Sequence, residues 1–417
     1  MRNRRNALYF SISACLIAGL LTGRAFFFNL AYLLGAMILV SMLWAWFSIR
    51  WIGITRRTSS SRSQIGRRFD EMFLVQNRAV LPKLWLEIHD DSDLPAHRAS
   101  HVVPWLTFRA SYRWYVETTC QARGEFRLGS LSIISGDPFG LFLLRRNLAA
   151  TSRLVVYPLT VPIVKFAIPS GALTGGEHQR QRAHFITTNA VGVREYVTGD
   201  SFNRIHWPTT ARRNQLMVKE FEIEPKVDVW LFVDFSASSL AEFPGLRRAN
   251  GTGAVLHSGT TLPPSSEEYA VTIAASLAQF FIESDRAVGF AAYTPNREVL
   301  QPEHGARQSL RVMEILALAR SVAQRSLAEM LALETPYISR GATLVLITAS
   351  SDPAWIAEAQ LIARKGIRPV CVLLEPQSFG GPAPVDDVRT MLRLANIPTF
   401  IIRCGDDLTA VLAQTPI

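Results

Sequence analysis

Cysteine is scarce, with four residues in 417. Cys15, Cys120, Cys371 and Cys404 lie far apart with no C-x-x-C, which excludes a disulfide scaffold, a zinc ribbon and a thioredoxin-like site. Histidine is also sparse, with eight residues. His206, His257 and His304 stand alone, without H-E-x-x-H or other ligand spacing. No G-x-S-x-G, G-x-x-x-x-G-K-[ST] or G-x-G-x-x-G stands where hydrolase or nucleotide chemistry needs it. Charged residues are only 19% of the chain against 48% hydrophobic, which excludes a disordered polypeptide. Acid is short of base, giving a formal net charge of +10. Such a balance suits nucleic acid or an anionic membrane surface, and the position of the basic residues decides between them.

What the chain does have is apolar sequence at its start. Residues 7–23 are apolar or small, and after Arg24 a second apolar run covers 25–47. A membrane-spanning helix needs about 17–25 such residues. A signal peptide accounts for the first run but not for a longer one directly behind it. The expectation is a two-helix transmembrane hairpin turning at Gly23 and Arg24. Arg2, Arg4 and Arg5 precede it, and Arg50, Arg56, Arg57, Arg62, Arg67 and Arg68 follow. Positive residues stay cytoplasmic, so both ends of the hairpin are expected in the cytosol of a cell whose inner (plasma) membrane the lipid-facing helices cross. The basic excess then belongs to the bilayer surface, and nucleic-acid binding loses its support.

From residue 69 to 158 the hydrophobic period is two. Leu84, Leu86 and Ile88 alternate with Trp85, Glu87 and His89; Trp114, Val116 and Thr118 alternate with Tyr115, Glu117 and Thr119. Short strands with turn signals predict a β-sandwich-like domain. In Gly136-Asp137-Pro138-Phe139-Gly140-Leu141-Phe142, Asp137 and Pro138 are expected to start a turn and Phe139 to fill the core. Beyond residue 227, apolar strands alternate with helical patterns. Ser265, Glu267 and Glu268 read as a capping box opening a helix whose buried stripe is Ala270, Ile273, Ala274, Leu277 and Phe281. This predicts an α/β doubly wound parallel sheet covered on both faces. The expected division is 1–54 hairpin, 55–165 β-rich domain, 166–226 connecting segment and 227–417 α/β domain.

Ligands of such sheets bind at the carboxyl ends of strands. The loop after the first strand carries Asp234-Phe235-Ser236-Ala237-Ser238. A carboxylate and two hydroxyls at alternate positions are hard oxygen donors suited to Mg²⁺ or Mn²⁺. This D-x-S-x-S, at that place, resembles the metal-ion-dependent adhesion motif of von Willebrand factor A domains. The resemblance implies a threonine from a second loop and an aspartate after a later strand. Here the aspartate position is Ala349, with Asp352 close behind, and residues 303–309 offer no threonine, leaving Ser309 or Gln308. Two readings stand: a degenerate metal site on Asp234, Ser236 and Ser238 with Asp352 and Ser309, or a loop in which Asp234 and the serines hydrogen-bond backbone amides.

A second segment carries Arg194-Glu195-Tyr196-Val197-Thr198-Gly199-Asp200, then Arg204-Ile205-His206-Trp207, then Ala211-Arg212. With Arg123-Gly124, the Gly136–Phe142 stretch and the hairpin, it resembles the domain-of-unknown-function 58 family, whose members carry Y-x-x-G-D and a following A-R. The resemblance implies a membrane hairpin, a β-rich region and a von Willebrand A-like domain, with Tyr196, Gly199, Asp200, Arg204, Trp207 and Arg212 as hallmark residues. It further implies an adaptor role beside a MoxR-type AAA+ ATPase and no established enzymatic activity. From the residues themselves, Arg204, His206, Trp207, Arg212 and Arg213 either form a surface for a protein partner or an anionic ligand, or pair internally with Glu195, Asp200, Glu220 and Glu222. The Gly/Pro/Ser/Thr-rich residues 243–264 form either a lid over Asp234 or a linker. Three functions compete: a non-enzymatic interaction module, an envelope-assembly scaffold binding through its β-domain, and a metal-dependent hydrolase. The last is disfavoured because Ser236 stands where a phosphatase needs a second carboxylate.

Overall fold

The computed structural model describes residues 2–166, 190–197, 202–221, 227–241, 254–255, 261–381 and 385–416. It opens with two antiparallel helices, α1 (Arg2–Thr22) and α2 (Ala25–Ile49), both long and apolar enough to cross a bilayer. Only Gly23 and Arg24 join them, and Gly23 takes a φ of 66° that a side chain would resist. The end of α2 is set on the domain below it. Ser48 Oγ lies 3.0 Å from Ser135 Oγ, and the buried Lys83 ammonium donates to the Phe47 carbonyl, one of the orphan acceptors of the last helical turn. Burial pulls the Lys83 pKa down to about 8.

Ten strands follow: β1 (Ile52–Thr58), β2 (Arg62–Gln64), β3 (Arg68–Asn77), β4 (Leu86–Asp90), β5 (His101–Val103), β6 (Ser111–Thr119), β7 (Gly124–Leu128), β8 (Leu131–Gly136), β9 (Leu143–Leu148) and β10 (Ser152–Tyr157). They form three sheets, β1-β3-β6, β5-β4-β8-β9 and β2-β10-β7. The first two are antiparallel throughout and share a core of Phe73, Val75, Leu86, Ile88, Trp114, Leu131 and Ile133. The Phe73 and Trp114 rings stack at 4.9 Å. The third sheet is mixed, because β2 runs parallel and β7 antiparallel to β10. Asp137 does start its turn, accepting from the amides of Phe139 and Phe142 at 3.0 and 2.6 Å. Phe139, however, is 54% exposed, and Leu141 is the apolar residue of that turn that is buried. The left-handed Gly140 that follows reverses the chain between them.

A small unit connects the two domains: β11 (Ala190–Glu195), α3 (Trp207–Arg213) and β12 (Met217–Phe221), with β11 and β12 antiparallel. The last region holds β13 (Val229–Val233), the two-residue strands β14 (Ala254–Val255) and β15 (Thr261–Leu262), α4 (Ser266–Glu283), β16 (Val288–Tyr293), β17 (Arg297–Glu303), α5 (Ala306–Leu318), α6 (Leu327–Glu334), β18 (Thr343–Thr348), α7 (Ala354–Arg364), β19 (Arg368–Leu374), α8 (Asp386–Leu394), β20 (Thr399–Ile402) and α9 (Leu408–Ala413). Its six-stranded sheet has the order β17-β16-β13-β18-β19-β20. Only the edge strand β17 is antiparallel to its neighbour.

Alternation along β13 explains why both faces are covered. Val229, Leu231 and Val233 enter a core with α4 and α5, and Trp230 and Phe232 enter another with α6, α7 and α8. Gly289 lies opposite Trp230 in the ladder, where an added Cβ would come within 2.7 Å of the indole. The first of these cores also takes in Leu128, Leu154 and Val156, so the β2-β10-β7 sheet and the α/β unit share buried apolar surface.

Candidate functional site

In the six-stranded sheet the chain order from the β17 edge is third, second, first, fourth, fifth, sixth. The order reverses between β13 and β18, which is where an open α/β sheet parts its loops at the carboxyl edge. Asp234 lies there, with its amide donating to the Ile347 carbonyl at 3.0 Å. Its side chain is 3% exposed and fully engaged. Oδ1 accepts from the Ser236 amide at 2.9 Å and the Ser236 hydroxyl at 2.6 Å. Oδ2 accepts from the Thr348 hydroxyl at 2.7 Å, and Thr348 Oγ1 in turn accepts from the Ser350 amide. Asp234 therefore ties the loop after β13 to the end of β18. Thr348, which sequence reasoning passed over in favour of Ala349, is the partner from the later strand.

The other proposed donors are not assembled around it. Ser238 is exposed, and the buried hydroxyl next to Ser236 is that of Ser239, 2.9 Å away. Asp352 turns away to accept from the amide of Ala354, the first residue of α7, at 3.0 Å. Ser309 lies at the opposite edge of the sheet. Because β17 is antiparallel, Glu303 pairs with Val288 at the start of β16, and Gln308 donates to the Val288 carbonyl at 2.7 Å. The loop that does reach the carboxyl edge is the one between α5 and α6. Ala237 N donates to Ala323 O at 3.0 Å and Ala323 N to Phe235 O at 3.2 Å, closing that loop over the end of β13. Arg325 from the same loop lies over the Tyr293 ring at 5.6 Å and lines, with Asp234 and Ser236, a recess too small for water. Three donors already occupy Asp234, and the described residues do not gather the several free oxygen ligands that a divalent ion needs. No group of three or more His, Cys, Asp or Glu placed to hold a metal occurs among the described residues.

The hallmark segment is laid out differently. Ile205, Met217 and Val218 are buried and hold it together. His206 Nδ1 lies 2.7 Å from Thr209 Oγ1, the Thr210 hydroxyl accepts from the Met217 amide, and Tyr196 stacks on Phe202 at 5.9 Å. Phe202 and Trp207 are 69% and 64% exposed, and Arg212 and Arg213 stand exposed in the last turn of α3. Among the described residues no carboxylate pairs with either arginine. Gly199 and Asp200, the side chains of Arg204 and Glu220, and most of residues 243–264 lie outside the described residues.

Two polar clusters were not foreseen. Arg123 is 2% exposed and reaches from the β-domain to the start of α4. It pairs with Glu267 and with Glu268, the latter at 2.5 Å, and donates to the Ala319 carbonyl at 2.8 Å. Arg320 returns the contact by donating to the Arg123 carbonyl at 3.1 Å, and the Ser321 amide donates to Glu267 at 2.9 Å. The capping box expected at Ser265 is not formed, because the glutamates that would complete it are drawn to Arg123. Burial would raise the Glu267 carboxyl, but Arg123 and Ser321 hold it below its ordinary value; for Glu268 burial wins and pushes it up. The second cluster is buried in the β-domain. Arg56 forms a bidentate pair with Glu71, both bonds at 2.9 Å, and reaches Asp90 at 3.1 Å. His97 Nε2 lies 3.2 Å from Glu71 and 3.1 Å from Asp90, and its Nδ1 is 2.8 Å from the Thr118 hydroxyl. The one visible signal was Glu71, a charged residue at an inward position of β3.

A family model described as "Protein of unknown function DUF58" matches residues 192–367, from β11 to the loop before β19. The chain is 26% identical over 234 residues to "Uncharacterized protein YeaD" of Bacillus subtilis (strain 168), a match covering 53% of this chain and 56% of the relative. The chain thus spans little more than half the length of that curated relative. Among solved structures, proximal thread matrix protein 1 from the mussel byssus is similar over 45% of this chain and 46% of its own, with a TM-score of 0.31 and 10% identity. The CARDB domain of the PF1109 protein from Pyrococcus furiosus is similar over 25% of this chain and 86% of its own, with a TM-score of 0.19 and 9% identity. Likeness at these scores carries no inference.

Proposed function

We propose that this chain is a membrane-anchored, non-enzymatic interaction module of the DUF58 type, an adaptor that docks a cytosolic AAA+ ATPase of the MoxR kind through its hallmark segment. The observation that carries the reading is the aromatic and basic face of that segment: Phe202 and Trp207 exposed beside the exposed Arg212 and Arg213. Buried aromatic anchors flanked by arginine dominate the energetics of protein interfaces, and a free face of this composition is built to be covered. The strand order with an antiparallel third strand, and Asp234 at its reversal, support a von Willebrand A-like assignment of the α/β unit. Two antiparallel sheets around the Phe73–Trp114 core support a sandwich for the β-domain. In this reading the D-x-S-x-S loop is a degenerate adhesion motif, its carboxylate given to loop architecture.

The test is an affinity pull-down of the full chain from mild detergent, with and without nucleotide. The parent enriches an AAA+ ATPase, and Trp207→Ala with Arg212→Glu abolishes the enrichment without changing thermal stability; an enrichment that the variant retains, or none in the parent, overturns the reading. Asp234→Ala is expected to leave Ser236 and Thr348 without their acceptor and to cost about 2–4 kcal/mol. Mg²⁺ is expected to leave the melting temperature of the parent unchanged, and a shift that Asp234→Ala removes would restore a metal site.

A further inference from the structure

Where α2 leaves the plane of its last apolar residues, the fold builds a cleft of about 640 Å³. Four arginines line it, Arg50, Arg78, Arg145 and Arg146, together with Trp46 and Trp51, and among the described residues no carboxylate does. They come from three separate elements. Arg50 and Trp51 are the link from α2 to β1, Arg78 follows β3, and Arg145 and Arg146 lie on the edge strand β9. The convergence is fixed by backbone. The Arg78 amide donates to the Trp51 carbonyl at 2.8 Å, and Arg78 lies so close to Gly53 that a Cβ there would come within 3.1 Å of it. Arg50 stacks over the Trp46 ring at 4.6 Å, and Trp46 meets Trp51 edge-on at 5.7 Å. Arg145 has a distant carboxylate, Asp91 at 3.8 Å with both side chains half exposed; Arg50, Arg78 and Arg146 have none among the described residues. The partial negative charge of the helix end, which would oppose an anion, is offset by the Lys83 ammonium on the Phe47 carbonyl. Ile49 and Leu144 supply an apolar floor, and the exposed Leu39, Met42 and Leu43 of α2 continue the apolar surface away from the cleft. On the same side, the loops after β3 and β5 expose Val80, Leu81, Trp105 and Phe108. Asn77, whose amide donates to the carbonyls of Leu81 and Thr107, holds these loops beside the α2 exit.

We propose that this cleft binds the phosphodiester headgroup of an anionic glycerophospholipid, its acyl chains lying along α2, and that it seats the β-domain against the bilayer. The proposal rests on the hairpin crossing the membrane. Guanidinium groups on a rigid frame match phosphate bidentately, tryptophans belong at the headgroup level, and the mixture of cations above an apolar wall suits a lipid rather than a free anion.

The experiment is native mass spectrometry of the full chain released from dodecyl maltoside, with added palmitoyl-oleoyl phosphatidylglycerol, the matching phosphatidylcholine, or inorganic phosphate. The parent retains phosphatidylglycerol in preference to phosphatidylcholine. Each arginine removed is expected to weaken retention about fivefold. Arg78→Gln with Arg146→Gln loses the preference, as does the second pair Arg50→Gln with Arg145→Gln, while Arg127→Gln with Arg153→Gln, an equal drop in charge on the β2-β10-β7 sheet, keeps it. Either cleft pair suffices if the other fails to fold. Equal retention of the two lipids, preference surviving in a folded cleft variant, or full displacement of the lipid by equimolar inorganic phosphate would overturn the proposal. Carbonate extraction of membranes separates the two claims: a chain that washes off defeats the hairpin, whereas one that stays but shows no lipid preference defeats only the cleft.

Discussion

His97 has side-chain exposure of 1% and sits between two carboxylates. Burial alone would lower its pKa, but hydrogen bonds and charge from Asp90 and Glu71 overcome this and raise it from 6.5 to about 9. The ring is therefore charged at neutral pH, balancing Arg56 against Glu71 and Asp90. Both carboxyls are correspondingly held down, burial being outweighed by His97 and Arg56, with Ser92 adding to the effect at Asp90. The sign of the pH dependence follows. The histidine contribution is complete below the unfolded value of 6.5 and lost as pH rises through about 9. The carboxylate contributions are complete above the unfolded carboxyl range and lost in acid. The histidine contribution to the β-domain is expected to fall by roughly 3 kcal/mol between about pH 6.5 and 9.5, partly offset by Lys83, which is held at about 8 and sheds its burial cost as it deprotonates over the same range. Thermal denaturation of the full chain in detergent across that range measures it, and His97→Gln should flatten the alkaline limb. An alkaline limb of unchanged slope in that variant would refute the assignment. Little of this was legible beforehand. Glu71, Asp90 and His97 are up to 26 positions apart, and a lone histidine in a loop carries no local signal; only packing of the β1-β3-β6 sheet against β4 and the loop after it brings them together. Asp234 was legible as a singular residue, since a carboxylate and hydroxyls at alternate positions stood at a strand end. Its hydrogen-bond partner Thr348 was not, because a single threonine closing an apolar strand looks like any other.

Elements were easier to read than the contacts between them. The stripe Ala270, Ile273, Ala274, Leu277 and Phe281 placed α4, and all five are buried. The start of that helix was read as self-sufficient, and the reading failed for a tertiary reason: Glu267 and Glu268 serve Arg123, a residue 144 positions away from Glu267. Ser309 failed for a topological one. A strand that runs antiparallel delivers its following loop to the amino edge of the sheet, and strand direction at an edge is not written in hydrophobic period. Arg123 thus becomes the element-level test. Removing it takes the main partner from two half-buried carboxyls at the junction of the β-domain with α4 and the α5–α6 loop. Arg123→Met is expected to cost about 2–3 kcal/mol, less than breaking one side of a fully buried ion pair, because solvent and Arg320 still reach the carboxyls. Hydrogen exchange should locate the loss at the first turn of α4 and at residues 319–321. Undiminished protection there would mean that the apolar contacts around Leu128, Leu154 and Val156 hold the junction unaided.

At the scale of the whole molecule, the arginines define a direction. Arg4 and Arg5 at one end of the hairpin and Arg50, Arg56 and Arg57 at the other flank two helices whose two-residue turn carries Arg24 alone. The folded part reinforces that arrangement, since Arg5 lies 5.7 Å over the Phe142 ring of the β-domain and the end of α2 is pinned by Lys83 and Ser135. Both basic ends therefore stand on the side that holds the domains, and the turn stands on the other. On the proposal that the hairpin crosses a membrane, basic residues are retained in the cytoplasm and the turn is expected to face outward. A membrane-impermeant maleimide applied to intact cells should label Arg24→Cys, while Ser60→Cys, in the exposed link between β1 and β2, should react only after permeabilisation. The native thiols do not interfere, because Cys120 and Cys371 are buried and Cys15 and Cys404 can be replaced by serine without touching a disulfide. Labelling of Ser60→Cys from outside would invert the molecule. It would remove a cytosolic ATPase from its reach and move the arginine cleft to the opposite leaflet, so this one measurement bears on both proposals together.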